Sequence, residues 1–101
     1  MMRPPLDGVH PEARGLVDEA AGVLVEYGAR EVYVFGSVLG EAWRGDSDID
    51  LAARGLPPNR FFPALGRLLG IGGRSVDLVD LDDDDLFTTH LREKGTLLRV
   101  R

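Results

Sequence analysis

The sequence predicts an α/β protein: a small mixed sheet of three to four strands flanked by helices. Two patterns predict it. Segments with helical periodicity alternate with short β-branched and aromatic runs, the order that builds a sheet layered with helices, and glycine or proline clusters separate them. The length points the same way. A chain of 101 residues with 44% hydrophobic content suits a single domain, residues 1–101, with one modest core.

Pro11 stands at a first helical position, and Ala13, Leu16, Val17, Ala20, Val23, Leu24 and Tyr27 follow at spacings of three and four, with Gly28 as a stop. This is an amphipathic helix. Glu31 to Phe35 reads as a strand, which Gly36-Ser37 ends while opening a short helix through about Trp43. Arg44-Gly45-Asp46-Ser47 is a turn by composition. Asp48 to Ala53 then alternates as a second strand, Ile49 and Leu51 on one face, Asp48 and Asp50 on the other. After the loop Gly55 to Asn59, Asn59 is expected to cap a helix covering Phe61, Phe62, Leu65, Leu68 and Leu69, ended by Gly70, Gly72 and Gly73. Ser75 to Leu81 is a third strand. The acids Asp82 to Asp85 fall where a helix start favours negative charge, ahead of Leu86, Phe87 and Leu91, and Gly95 ends that helix. Thr96 to Val100 fits either a last short strand or an extended tail.

Composition narrows the function. No apolar run approaches the ~20 residues that span a bilayer, and Met1 to Pro5 lacks the apolar segment of a signal peptide, so a soluble cytoplasmic protein without a membrane partner is expected. Zero cysteines leave carboxylates as the ligands for any metal, which favours Mg²⁺ or Mn²⁺ over zinc. A net charge of -5 argues against direct nucleic-acid binding, which draws on clustered Lys and Arg. The Phe61-Phe62-x-x-Leu65 stretch and Leu97-Leu98 offer apolar surface beyond what one small sheet covers, so homo- or hetero-oligomers are expected.

The chemistry concentrates in Gly36-Ser37, ten residues, then Asp48-Ile49-Asp50, with a further acid, Asp77, in Ser75-Val76-Asp77-Leu78-Val79. A glycine and a small hydroxyl at a strand end let a phosphate approach the backbone, and two carboxylates two apart on a strand project to the same side. Alone, Gly-Ser is more often an ordinary turn and Asp-x-Asp more often solvated charge or capping. Together they read as a metal–nucleotide site, because close carboxylates are costly unless a cation neutralises them. A salt bridge from Asp77 to an arginine such as Arg74 is the structural alternative. Asp80 and Asp82 to Asp85 are better explained by capping and the helix dipole, His90 lacks a ligand partner, His10 flanks the first helix, and Trp43 is read as packing.

This spacing, over roughly Val32 to Leu81, resembles the signature of the nucleotidyltransferase superfamily that includes DNA polymerase beta, and the short length resembles its minimal branch. Many members of that branch are antitoxins paired with a HEPN-domain toxin. The resemblance implies the nucleotidyltransferase fold, with Gly36 and Ser37 as the triphosphate-contacting turn and Asp48, Asp50 and Asp77 as catalytic metal ligands. Asp77 would also draw the proton from the attacking hydroxyl. Arg44 matches a basic position often seen before the acid pair and joins the nucleotide-binding set. Many relatives read Gly-Ser-Arg-x-Arg-Gly, whereas Val38 and Gly40 stand here in place of the two arginines. The implied activity is Mg²⁺- or Mn²⁺-dependent transfer of AMP from ATP (a nucleoside triphosphate) to a hydroxyl, such as a tyrosine of a HEPN-type toxin. The alternative is a non-catalytic antitoxin or binding module that neutralises its partner by contact.

Overall fold

The computed structural model describes residues 8–39, 43, 48–71, 75–83, 86–94 and 97–101. Pro11, which has no N–H to leave unpaired, opens a 3-10 turn, Pro11–Ala13, that runs into helix α1, Arg14–Glu26. His10 caps the turn, its Nδ1 accepting from the Glu12 N–H at 3.2 Å. The three-and-four spacing of α1 buries Val17, Ala20, Ala21, Val23 and Leu24, and Gly28, at φ 115°, turns the chain into the sheet.

Strands β1 (Glu31–Phe35), β2 (Ile49–Arg54), β3 (Val76–Asp80) and β4 (Leu98–Arg99) form one four-stranded sheet in the order β3-β2-β1-β4. β1 runs antiparallel to β2 and β4, while β2 and β3 are parallel. Parallel neighbours need a crossover, and α2 (Pro58–Leu69) supplies it. Helix α3 (Leu86–Lys94) lies between β3 and β4 in the chain. The stretch left open as strand or tail therefore contains a strand, which closes the free edge of β1.

Period-two alternation divides the sheet into two faces. Val32, Val34, Ile49, Leu51 and Ala53 join α1 and the buried residues of α2, Ala64 and Leu68, in the main core. On the opposite face a smaller cluster of Ala52, Leu81 and Leu91 gathers Tyr33, Phe35, Val79 and Leu97. Register places Asp50 beside Phe35 and Asp77 on this second face, away from the main core.

Several boundaries differ from the sequence reading. The second and third strands are Ile49–Arg54 and Val76–Asp80, so Asp48 and Ser75 stand just outside the ladder. The turn after β1 is a 3-10 helix, Gly36–Leu39; the expected continuation to Trp43 runs through residues 40–42, outside the described residues, as are the turn 44–47, Gly72, Gly73, Arg74, Asp84, Asp85, Gly95 and Thr96. Asn59 is not the cap of α2. Pro57 takes that place at φ -58° and ψ 138°, without a side-chain hydrogen bond, and Pro58 opens the helix with its fixed φ. The apolar face of α2 is also narrower than expected: the inward stripe runs Phe61, Ala64, Leu65, Leu68, which leaves Phe62 75% and Leu69 49% exposed. Asp82 works as a tie between loops, its Oδ2 accepting from the Gly55 N–H at 2.7 Å while its own N–H donates to Asp80 Oδ1 at 2.9 Å. Among the described residues no helix is long and apolar enough to cross a membrane.

Leu51, fully buried between the helices and the sheet centre, and Phe62, on the surface of α2, should respond oppositely to truncation. Leu51→Ala is expected to cost about 2–5 kcal/mol in denaturant unfolding, and Phe62→Ser no more than about 0.5 kcal/mol. A large loss for Phe62→Ser would place that ring in the core.

Candidate active site at the end of the sheet

Asp50 is the centre of the site. It occupies the second position of β2, half-buried, where the antiparallel register sets it opposite Phe35 and the parallel register opposite Asp77. Direct opposition on one face brings side chains close, so two carboxyls meet across β2 and β3. They are within hydrogen-bonding reach of each other, and the charge of Asp48, exposed one step before the strand, also acts on Asp50. Burial, then the hydrogen bond to Asp77, then repulsion by Asp77 and Asp48 push the Asp50 carboxyl up from 3.8 to about 6.

Gly36 explains how the backbone reaches this pair. It ends β1 at φ 76°, and a Cβ built there would overlap Asp50 Oδ2. Only a glycine satisfies both the left-handed conformation and the contact. Ser37 follows inside the 3-10 turn, its side chain outside the described atoms, and Arg44 lies outside the described residues altogether.

Val38, one of the positions where an arginine was expected by resemblance, is completely buried in the main core, and its carbonyl accepts from the His10 N–H at 2.9 Å. A guanidinium there would be desolvated, so valine at this position serves packing and cannot contact a phosphate.

Trp43 braces the other approach. Its ring is buried, 5.5 Å from that of His10, and its Nε1–H donates to the Asp48 carbonyl at 3.3 Å. The packing role read from sequence holds, but the bond to the residue that opens the acid pair had no sequence signal.

Of the predicted acids, then, Asp50 and Asp77 are brought together and Asp48 stands near enough to be felt. Among the described residues no group of three His, Cys, Asp or Glu is arranged to hold a metal ion. The donor set nevertheless suits a divalent oxygen-seeking cation: the chain offers carboxylates without thiols, and two of those carboxylates raise the cost of ionising the third.

The chain matches no protein-family model and no curated protein. Solved structures do match. A toxin–antitoxin MntA–HepT complex superposes with a TM-score of 0.60 at 20% identity, over 83% of this chain and 69% of that one. A toxin–antitoxin structure with AMP-PNP superposes with a TM-score of 0.60 at 24% identity, over 79% and 69%. This chain shares the fold of those structures. Within that fold the glycine turn after β1 and the acid-bearing starts of β2 and β3 lie at one end of the sheet.

Two outcomes test this geometry. Gly36→Ala should lose roughly 1–3 kcal/mol from its backbone conformation and the overlap with Asp50, and the loss should shrink in an Asp50→Ala background, which removes the overlapping oxygen; identical losses in both backgrounds would deny the contact. The second outcome follows from the raised Asp50 carboxyl, which binds its proton more tightly folded than unfolded. In metal-free buffer that contribution to stability is full below about pH 4 and is lost as pH rises through about 6. The melting temperature of Asp50→Asn relative to the natural protein should therefore climb between pH 4 and pH 6 and then level off. A flat difference would mean that Asp50 ionises freely.

Proposed function

We propose that this protein is a nucleotidyltransferase that moves AMP from ATP to a hydroxyl on a protein partner, a tyrosine of a HEPN-type toxin, and thereby acts as an antitoxin. The observation that carries the reading is the Asp50–Asp77 pair facing the Gly36 turn. In the reaction the acceptor oxygen bonds to the α-phosphorus, the bond from that phosphorus to the β-bridging oxygen breaks, and pyrophosphate leaves.

Asp48, Asp50 and Asp77 would hold Mg²⁺ or Mn²⁺, which supplies neutralisation of the charge on the phosphate oxygens. The chain's own groups do the rest. Gly36 lets the turn close against Asp50, and the Ser37 hydroxyl that follows can donate to phosphate oxygens. Asp77, exposed on the outer strand of the pair, is open to an incoming hydroxyl and accepts its proton. Asp50, walled by Phe35 and the Gly36 backbone, stays on the phosphate side.

A second reading has an observation of its own. Val38 is sealed in the core and Gly40 has no charge, so the cationic support of a triphosphate is reduced; this favours a module that neutralises its partner by contact alone. Labelled ATP separates the two. With α-labelled ATP, Mg²⁺ or Mn²⁺ and a cognate HEPN-type toxin as acceptor, the natural chain should label the partner. Asp48→Asn/Asp50→Asn should lose metal-dependent ATP binding. Asp77→Asn should keep ATP binding by calorimetry yet lose transfer by ~100-fold or more, the scale of a positioned base. A partner that is neutralised without label, equally by all three proteins, would establish the contact-only reading.

A further inference from the structure

We propose that the groove between the start of α2 and the end of β3 docks an arginine side chain presented by a partner protein. The groove is open to solvent, measures about 280 Å³ and is lined by Pro58, Phe61, Phe62, Asp80 and Asp83. Two of its lining residues are aromatic. Phe61 and Phe62 meet edge to face, with ring centroids 5.3 Å apart and planes at 83°. Phe61 packs partly on the core, whereas Phe62 is left 75% exposed, because the inward stripe of α2 passes on its other side.

Its rim is acidic. Asp83 is exposed, and Asp80, half-buried, has committed Oδ1 to the Asp82 N–H. The arginine of α2 nearest in sequence is engaged elsewhere, the Arg60 guanidinium lying 5.8 Å over the Tyr27 ring.

Aromatic rings beside carboxylates in one groove select a particular occupant. A guanidinium is planar and weakly hydrated, so it stacks on an aromatic face while its N–H fork reaches a carboxylate. An ammonium is a more strongly hydrated point charge and gains less from the rings. Nucleic acid and anionic lipid are repelled by the same aspartates. The volume fits one side chain, falling below the ~300–1,000 Å³ of sites that enclose small molecules.

This groove is separate from the carboxylate pair. Asp80 pairs in register with Ala53, a residue of the main-core face, while Asp77 pairs with Asp50 on the opposite one. The inference therefore does not depend on nucleotide transfer, and the two readings fail independently.

Amide NMR of the full chain, titrated at pH 7 and low salt with acetyl-Leu-Arg-Leu-amide, tests it. The expected result is saturable shifts at the amides of residues 59–62 and 80–83. Affinity should fall tenfold or more when arginine is replaced by citrulline, its neutral isostere, and should also fall tenfold in Phe62→Ser, whose melting temperature should match that of the natural chain. Several results would overturn the proposal: no shift, equal binding of the citrulline peptide, or shifts centred on Asp50 and Asp77. Concentration-dependent shifts of the groove without peptide would also overturn it, by making a second copy the occupant.

Discussion

Two carboxylates facing each other across a parallel strand pair are the constraint around which this molecule is organised. Register alone puts Asp50 opposite Asp77, and nothing in the β2–β3 ladder can relieve the repulsion, because a one-residue shift would turn Leu51 and Ala53 of β2, or Val76 and Leu78 of β3, out of the main core. The sheet therefore holds like charges together by virtue of its hydrophobic pattern. Gly36 completes the arrangement by bringing backbone against Asp50, a contact that no other residue tolerates. Stability is spent at this end of the sheet and recovered on the opposite face, where α1 and α2 cover it.

Much of this was legible in the residues themselves. Strand β1 was read over its observed span, because β-branched and aromatic residues filled it and a glycine closed it. Asp50 and Asp77 could be named because charged side chains interrupted otherwise apolar strands. Their mutual opposition could not, since register depends on the crossover through α2. The same limit hid the second strand partner of β1: Leu98–Arg99 is too short to carry a periodic signal, and only the open edge of β1 makes it a strand. For α2, two adjacent prolines set the start, and fixed backbone geometry overrode the capping preference of Asn59. The apolar width of α2 misled as well, since Phe62 and Leu69 belong to a face that no part of the described sheet covers.

The burial of Val38 bears most on function. Judged by charge alone, the valine is a missing phosphate ligand; judged by position, it is a wall of the core whose carbonyl anchors His10, which in turn packs on Trp43, whose indole holds Asp48. Val38 thus belongs to the core and its turn to the brace of the acid pair.

The most direct measurement is paramagnetic broadening of backbone amides by Mn²⁺ at substoichiometric concentration. If the carboxylate pair is a cation site, the amides of Gly36, Asp50 and Asp77 should broaden first, and those of residues 82–83 in the acidic run should keep their line widths until excess metal is added. Broadening that begins in the acidic run, or that spares Gly36, Asp50 and Asp77, would contradict the account.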